Sequence, residues 1–209
     1  MTCCWRREWD AARDRASQTL EWVRLENWLL DIALDTLTLG RAHLGLALDA
    51  AFQPPIATAR TWLDQAVDGL RAAAILDFVP RGLLARAVFR RSVGDWGGAA
   101  RDLDEVEEIA EPGPMRLHLC DMALERTRFA FARIAAFAPL NGLIDDSPPQ
   151  PEPPGAEESA KLADKARANL ATARELIERC GYHRRDEELA ELEAVRDGRL
   201  RFADLPPRV

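Results

Sequence analysis

Read as a pattern of apolar and polar positions, the chain carries one short motif four times. A small residue is followed four places later by an apolar or small one, and three places after that by another. The four are Ala12-Ala16-Thr19, Ala59-Leu63-Ala66, Ala99-Leu103-Val106 and Ala166-Leu170-Ala173. Steps of four and three keep all three residues on one face of an α-helix. Small residues on that face let a second helix approach closely, so the pattern predicts stacked helices whose shared sides form one continuous core.

The surrounding sequence supplies the ends of these helices. In the stretch from Pro80 to Val93, apolar residues recur at helical spacing and Pro80 suits a first turn. Gly94 supplies a C-terminal stop and Asp95 an N-cap for the next helix. Pro112-Gly113-Pro114 ends that second helix. The result is helix, tight turn, helix, break. Extended along the chain, the reading predicts helices over about 6–25, 27–51, 55–74, 79–93, 95–111, 114–138, 157–180 and 184–197. Gly181 should end the seventh. Leu189, Leu192 and Val195 should form the inward face of an eighth, capping helix. Between Asn141 and Gly155, five prolines and two aspartates predict an exposed loop, and the tail from Phe202 should drape over the end or fray.

The run from Ala87 to Pro112 resembles the tetratricopeptide repeat. It has a small residue at Ala87, a Gly94-Asp95-Trp96 turn, and Ala99, Leu103 and Val106 in the second helix. Arg7-Glu8-Trp9 with Ala12 looks like the same turn and second helix, and Leu39-Gly40-Arg41 resembles the Leu-Gly pair of a first helix. The aligned alanines 12, 59, 99 and 166 are 47, 40 and 67 apart, against about 34 in the regular repeat. The repeats are therefore irregular, elongated by insertions. The resemblance implies an all-α, right-handed α-solenoid of antiparallel helix hairpins with about eight helices. It would span residues 1–198 with a proline-rich loop at about 139–156, followed by a tail over 199–209.

Charge bears on partners. The net charge is −7, which argues against nucleic acid as a partner. Locally the balance is uneven. The predicted helix 79–93 holds Arg81, Arg86, Arg90 and Arg91 with no acid, while 95–111 sets Arg101 against seven acids. First helices of the repeat family line a concave surface, and Arg41, Arg126 and Arg133 also fall on predicted first helices. The resemblance thus implies a basic groove of Arg41, Arg81, Arg86, Arg90, Arg126 and Arg133. Such a groove would receive an acidic peptide or a C-terminal carboxylate. The alternative is that these arginines simply pair with the neighbouring acidic helix.

Candidate chemistry is sparse. His43, His118 and His183 belong to no HExxH, GxSxG, phosphate-loop or GxGxxG pattern. Cys3, Cys4, Cys120 and Cys180 offer no CxxC pair. His118 and Cys120 are two apart and point to different sides of a helix, so one cannot activate the other. The acids Asp102, Asp104, Glu105, Glu107, Glu108 and Glu111 fan around a helix rather than converge on a cation. No enzyme, cofactor or metal site is expected. Phe129 to Leu140, the longest apolar stretch, is broken by Arg133 and too short to span a bilayer. Met1 to Asp10 has no apolar signal core, so a cytoplasmic location is expected.

The first helix has no partner before it, and Trp5, Trp9 and Trp22 crowd it. They predict an apolar edge that packs on a partner or on a second copy as a homodimer; otherwise the chain is a piece of a longer array. The expected function is a non-catalytic protein-protein interaction module binding a partner protein or peptide. The alternative is a sensor or regulatory repeat fragment of a larger bacterial signalling ATPase or transcriptional regulator.

Overall fold

The computed structural model describes residues 2–49, 56–143, 152–206 and 208, with side chains from residue 6 onward. Among the described residues eight α-helices follow one another: α1 (Thr2–Leu25), α2 (Leu29–Leu48), α3 (Ile56–Ala72), α4 (Val79–Val93), α5 (Trp96–Ala110), α6 (Arg116–Ile134), α7 (Ala156–Cys180) and α8 (Asp186–Arg196). Single 3-10 turns cover Leu76–Phe78, His183–Arg185 and Phe202–Asp204, and no strand occurs among the described residues. Each small-residue triplet lies on an odd-numbered helix. Those of α3, α5 and α7 are wholly buried, whereas on α1 only Ala16 is.

The helix ends have local causes. Gly94 takes the left-handed conformation (φ 84°), and its N–H closes α4 on the Arg90 and Arg91 carbonyls. Asp95 then caps α5, its carboxylate accepting from the Gly98 N–H at 2.8 Å. Gly181 (φ 64°) ends α7 in the same way as Gly94 ends α4. Between α1 and α2 the turn is made by Asn27 (φ 54°), a residue type that tolerates this region.

Close approach between helices rests on particular small residues. A Cβ placed on Gly40 of α2 would stand 2.8 Å from the Leu63 side chain of α3 and 3.1 Å from its backbone nitrogen. Nearer the start of α2, Ala33 meets Gly69 near the end of α3. Gly82, early in α4, lies against Leu70, late in α3. Consecutive helices make the most extensive contacts, and α4 also touches α2 and α6, while α6 touches α8.

The buried side chains form three clusters rather than one continuous core. The largest joins α2 to α5 around Leu44, Leu63, Leu70, Leu83 and Leu103. A second joins α6, α7 and α8 around Leu124, Leu170, Ile177 and Leu192. A small third one, Ala16, Leu20 and Leu39, seats α1. The first two divide at α6, which gives Met122 to one and Leu124 to the other. The inward face of α8 holds Leu189 and Leu192, buried, with Val195 half-buried.

One connection and the tail are tied down. After α6 the chain returns to the end of α4, where the Leu140 N–H donates to the Ser92 carbonyl at 2.8 Å and the Leu140 side chain is buried. Residues 144–151 of the proline-rich loop lie outside the described residues. In the tail, Phe202 is buried and packs edge-on against Phe137 and tilted against Phe131.

Candidate anion-binding pocket

The arginines of α4 emerge on two sides of the helix, and their fates differ. Arg86 holds Asp102 of α5 through two bonds of 3.1 and 2.8 Å and reaches Asp64 of α3 at 3.3 Å. Arg90 shares the same buried Asp102 at 2.8 Å and donates to the Gly98 carbonyl. On α6, Arg126 bonds Asp104 at 2.7 Å and Glu107 at 2.9 Å. Arg133 bonds Glu158 at 2.7 Å and lies over the Trp96 ring. Four of the six candidate groove arginines are thus engaged with acids of neighbouring helices.

The other two, Arg41 and Arg81, line a cavity of about 530 Å³. Its apolar lining comes from Leu84, Ala85 and Val88 of α4 and from Leu117 and Leu124 of α6. Its far wall comes from the α7–α8 connection and α8, with Tyr182, Arg184, Arg185 and Glu188, and Arg208 closes one side. Five guanidinium groups therefore face three carboxylates, those of Asp121, Glu125 and Glu188.

Each of those carboxylates is already held. Asp121 accepts from Arg185 at 2.9 Å. Glu188 accepts from Arg128 and from Arg185, both at 2.8 Å. Glu125 accepts from Arg91 at 2.5 Å. By contrast, Arg81 lies over the Phe78 ring and Arg184 over the Tyr182 ring, also donating to the Tyr182 hydroxyl. Among the described residues neither forms an ion pair with a carboxylate. Stacking on a ring leaves guanidinium N–H edges directed away from it, a geometry suited to planar or tetrahedral oxyanions.

The surplus of positive charge shows in the titrating groups. Arg41 is open to water at the cavity mouth, yet the surrounding protein displaces much of its solvent and lowers its proton affinity. Arg185, Arg184 and Arg81 lower it further, against Asp121 acting the other way. His118, in the wall, is lowered first by burial and then by Arg81, against Asp121 and Asp77. Its Nδ1 is buried with no hydrogen-bond partner among the described residues. Arg185 is the exception: burial disfavours its charge, but Asp121 and Glu188 outweigh that and raise it.

No family model, curated protein or solved structure matches this chain. Its function must be read from its own residues.

The remaining candidates have plain positions. Trp9 is half-buried and lies against Gly45 of α2, where a Cβ would collide with the indole. Trp22 is exposed near the opposite end of α1, and the Trp5 side chain lies outside the described residues. Trp9 and Trp22 thus lie on different parts of α1, one against α2 and one in solvent. Cys120 is buried, and burial pushes its thiol up to about 12, far from a reactive thiolate. Among the described residues no group of His, Cys, Asp or Glu could hold a metal ion. Among the described residues no helix is long and apolar enough to cross a membrane.

The basic and aromatic pocket residues missed by sequence reading are Tyr182, Arg184, Arg185 and Arg208. Two adjacent arginines three residues after a helix-ending glycine were the available signal; read alone, they suit a turn equally well.

Proposed function

We propose that this chain is a binding module built as an irregular α-solenoid of antiparallel helix hairpins, and that its arginine-lined pocket receives an acidic segment of a partner protein. The hairpin reading is supported by the pairing of early α2 with late α3 and of late α3 with early α4. It is supported further by the second-neighbour contacts among α2, α4, α6 and α8, which would form the inner layer. The observation that carries the binding reading is the state of the pocket's charges. Its three carboxylates are occupied, while Arg81 and Arg184 lie over aromatic rings and, among the described residues, pair with no carboxylate.

The overall charge of −7 repels anions at long range, so attraction would be confined to this pocket. A cavity of about 530 Å³ falls in the size range of ligand sites, roughly 300–1,000 Å³. Its apolar lining would take a side chain flanking the acidic group.

Fluorescence anisotropy with a labelled peptide of alternating glutamate and leucine, against a lysine-leucine control, tests this. Selective binding of the acidic peptide, lost when Arg81→Ala and Arg184→Ala are combined, is the expected result. Equal binding by that double variant and the wild type would remove the pocket from the reading.

A further inference from the structure

We infer that the end of the molecule formed by the α1–α2 and α3–α4 turns is an interface between two copies of this chain. Four large apolar side chains stand out in solvent there: Leu25 is 84% exposed, Trp22 58%, Trp28 57% and Leu29 49%. Ile75 and Leu76, in the α3–α4 turn, are exposed as well. The two turns share one end because Ala33, one turn into α2, meets Gly69, one turn before the end of α3.

The exposure is built into ordered backbone. Asn27 in the left-handed region reverses the chain, its N–H donating to the Arg24 carbonyl at 3.3 Å and that of Trp28 to the Val23 carbonyl at 3.2 Å. The Trp28 carbonyl then accepts the first helical hydrogen bond of α2, from the Ile32 N–H, at 2.9 Å. On the second turn the Ala73 and Ala74 N–H groups close on Gly69 and Arg71. The aromatic and aliphatic groups are therefore held outward by hydrogen-bonded turns rather than by loose chain.

Size and charge point to a second copy. With a tryptophan worth up to about 250 Å², the six exposures add to an apolar surface on the order of 600 Å². That lies at the top of the range for a free monomer, about 300–600 Å². It also approaches the share of one partner in a standard interface, about 800 Å². The rim carries both signs: Arg24 next to Leu25, with Glu21 and Glu26 on either side. A two-fold axis through the patch would let the arginine of one copy meet the acids of the other, the self-complementarity a symmetric dimer requires. The inference stands apart from the ligand of the concave pocket, since no residue of this patch lines it.

Sedimentation velocity over a hundredfold range of protein concentration tests it. The wild type should reach twice the monomer mass, and Leu25→Glu should weaken association at least tenfold with unchanged helical circular dichroism. Leu25 is nearly free of contacts, so this variant stays informative if Trp28→Glu fails to fold. A wild type that stays monomeric throughout overturns the inference and gives the patch to a different protein. A Leu25→Glu variant that dimerises as tightly as the wild type also overturns it, because the interface then lies elsewhere.

Discussion

Arg91 of α4 and Glu125 of α6 meet at 2.5 Å with both side chains buried. Glu125 also lines the concave pocket, so the arginine behind it neutralises a carboxylate that would otherwise oppose an anion in front. Charges buried together are costly to separate: losing one partner leaves the other unpaired in a poor solvent, at about 3–5 kcal/mol. Glu125→Ala should lower unfolding free energy by about that much in urea titrations, with little change in the m-value. The double change Arg91→Met with Glu125→Leu should recover most of the loss, because no unpaired charge remains.

Gly40 offers a steric counterpart. A methyl group there meets the Leu63 side chain at 2.8 Å and its backbone nitrogen at 3.1 Å. The side chain can turn aside, but the backbone must shift. Gly40→Ala should therefore cost about 1–3 kcal/mol by overpacking, against the modest gain alanine gives a helix. At about 2–4 °C per kcal/mol for a chain of this size, thermal unfolding resolves it. Gly155→Ala, with nothing within 4 Å, should leave the midpoint almost unmoved.

Stability should fall in two stages on acidification. Burial lowers the proton affinity of His43 and of His118 below the ordinary value of 6.5. The unfolded chain then binds these protons first, so stability is full above about 6.5 and is lost as pH falls toward the lowered folded values. Glu188 acts lower down. Burial raises its carboxyl, but Arg128 and Arg185 outweigh that and hold it below its ordinary range. Its contribution is present above that range and disappears as pH falls through it to the folded value. Denaturant titrations from pH 7.5 downward should show both stages. His43→Gln should flatten the upper one, and Glu188→Gln the lower, at the expense of stability near neutrality.

The helices are legible in the sequence where a single residue dictates backbone geometry. Gly94, Asp95 and Gly181 sit where a left-handed stop or a cap is needed, and the triplets on α3, α5 and α7 are buried because their faces admit a neighbour. The pocket is far less legible, since it depends on which arginines find carboxylates. Arg86 and Arg81 are five residues apart on one helix and look alike in sequence. Yet Arg86 turns toward Asp102 while Arg81 lies on Phe78. Nothing local separates them. The tryptophans behave likewise: Gly45 makes room for Trp9 on α2, whereas Trp22 points out to solvent. Whether an apolar side chain is covered depends on the facing helix, which no spacing along α1 reveals.

That difference between similar arginines yields a sharp test of the proposed ligand site. If acidic peptides were attracted by basicity in general, Arg126, on the same helix as the pocket acids Asp121 and Glu125, would matter as much as Arg81. If the pocket binds them, Arg126 is already bound to Asp104 and Glu107 and adds little. Arg81→Ala and Arg184→Ala should each weaken the acidic peptide about tenfold, equivalent to about 1.4 kcal/mol. Arg126→Ala should change it less than twofold. Raising the salt concentration should weaken wild-type binding, because the pocket is open to solvent and its attraction is screened. It should affect the Arg81→Ala variant less. Titrations of the three variants at low and high salt, followed by anisotropy, check the ordering; equal losses from Arg126→Ala and Arg81→Ala would assign the attraction to the whole surface.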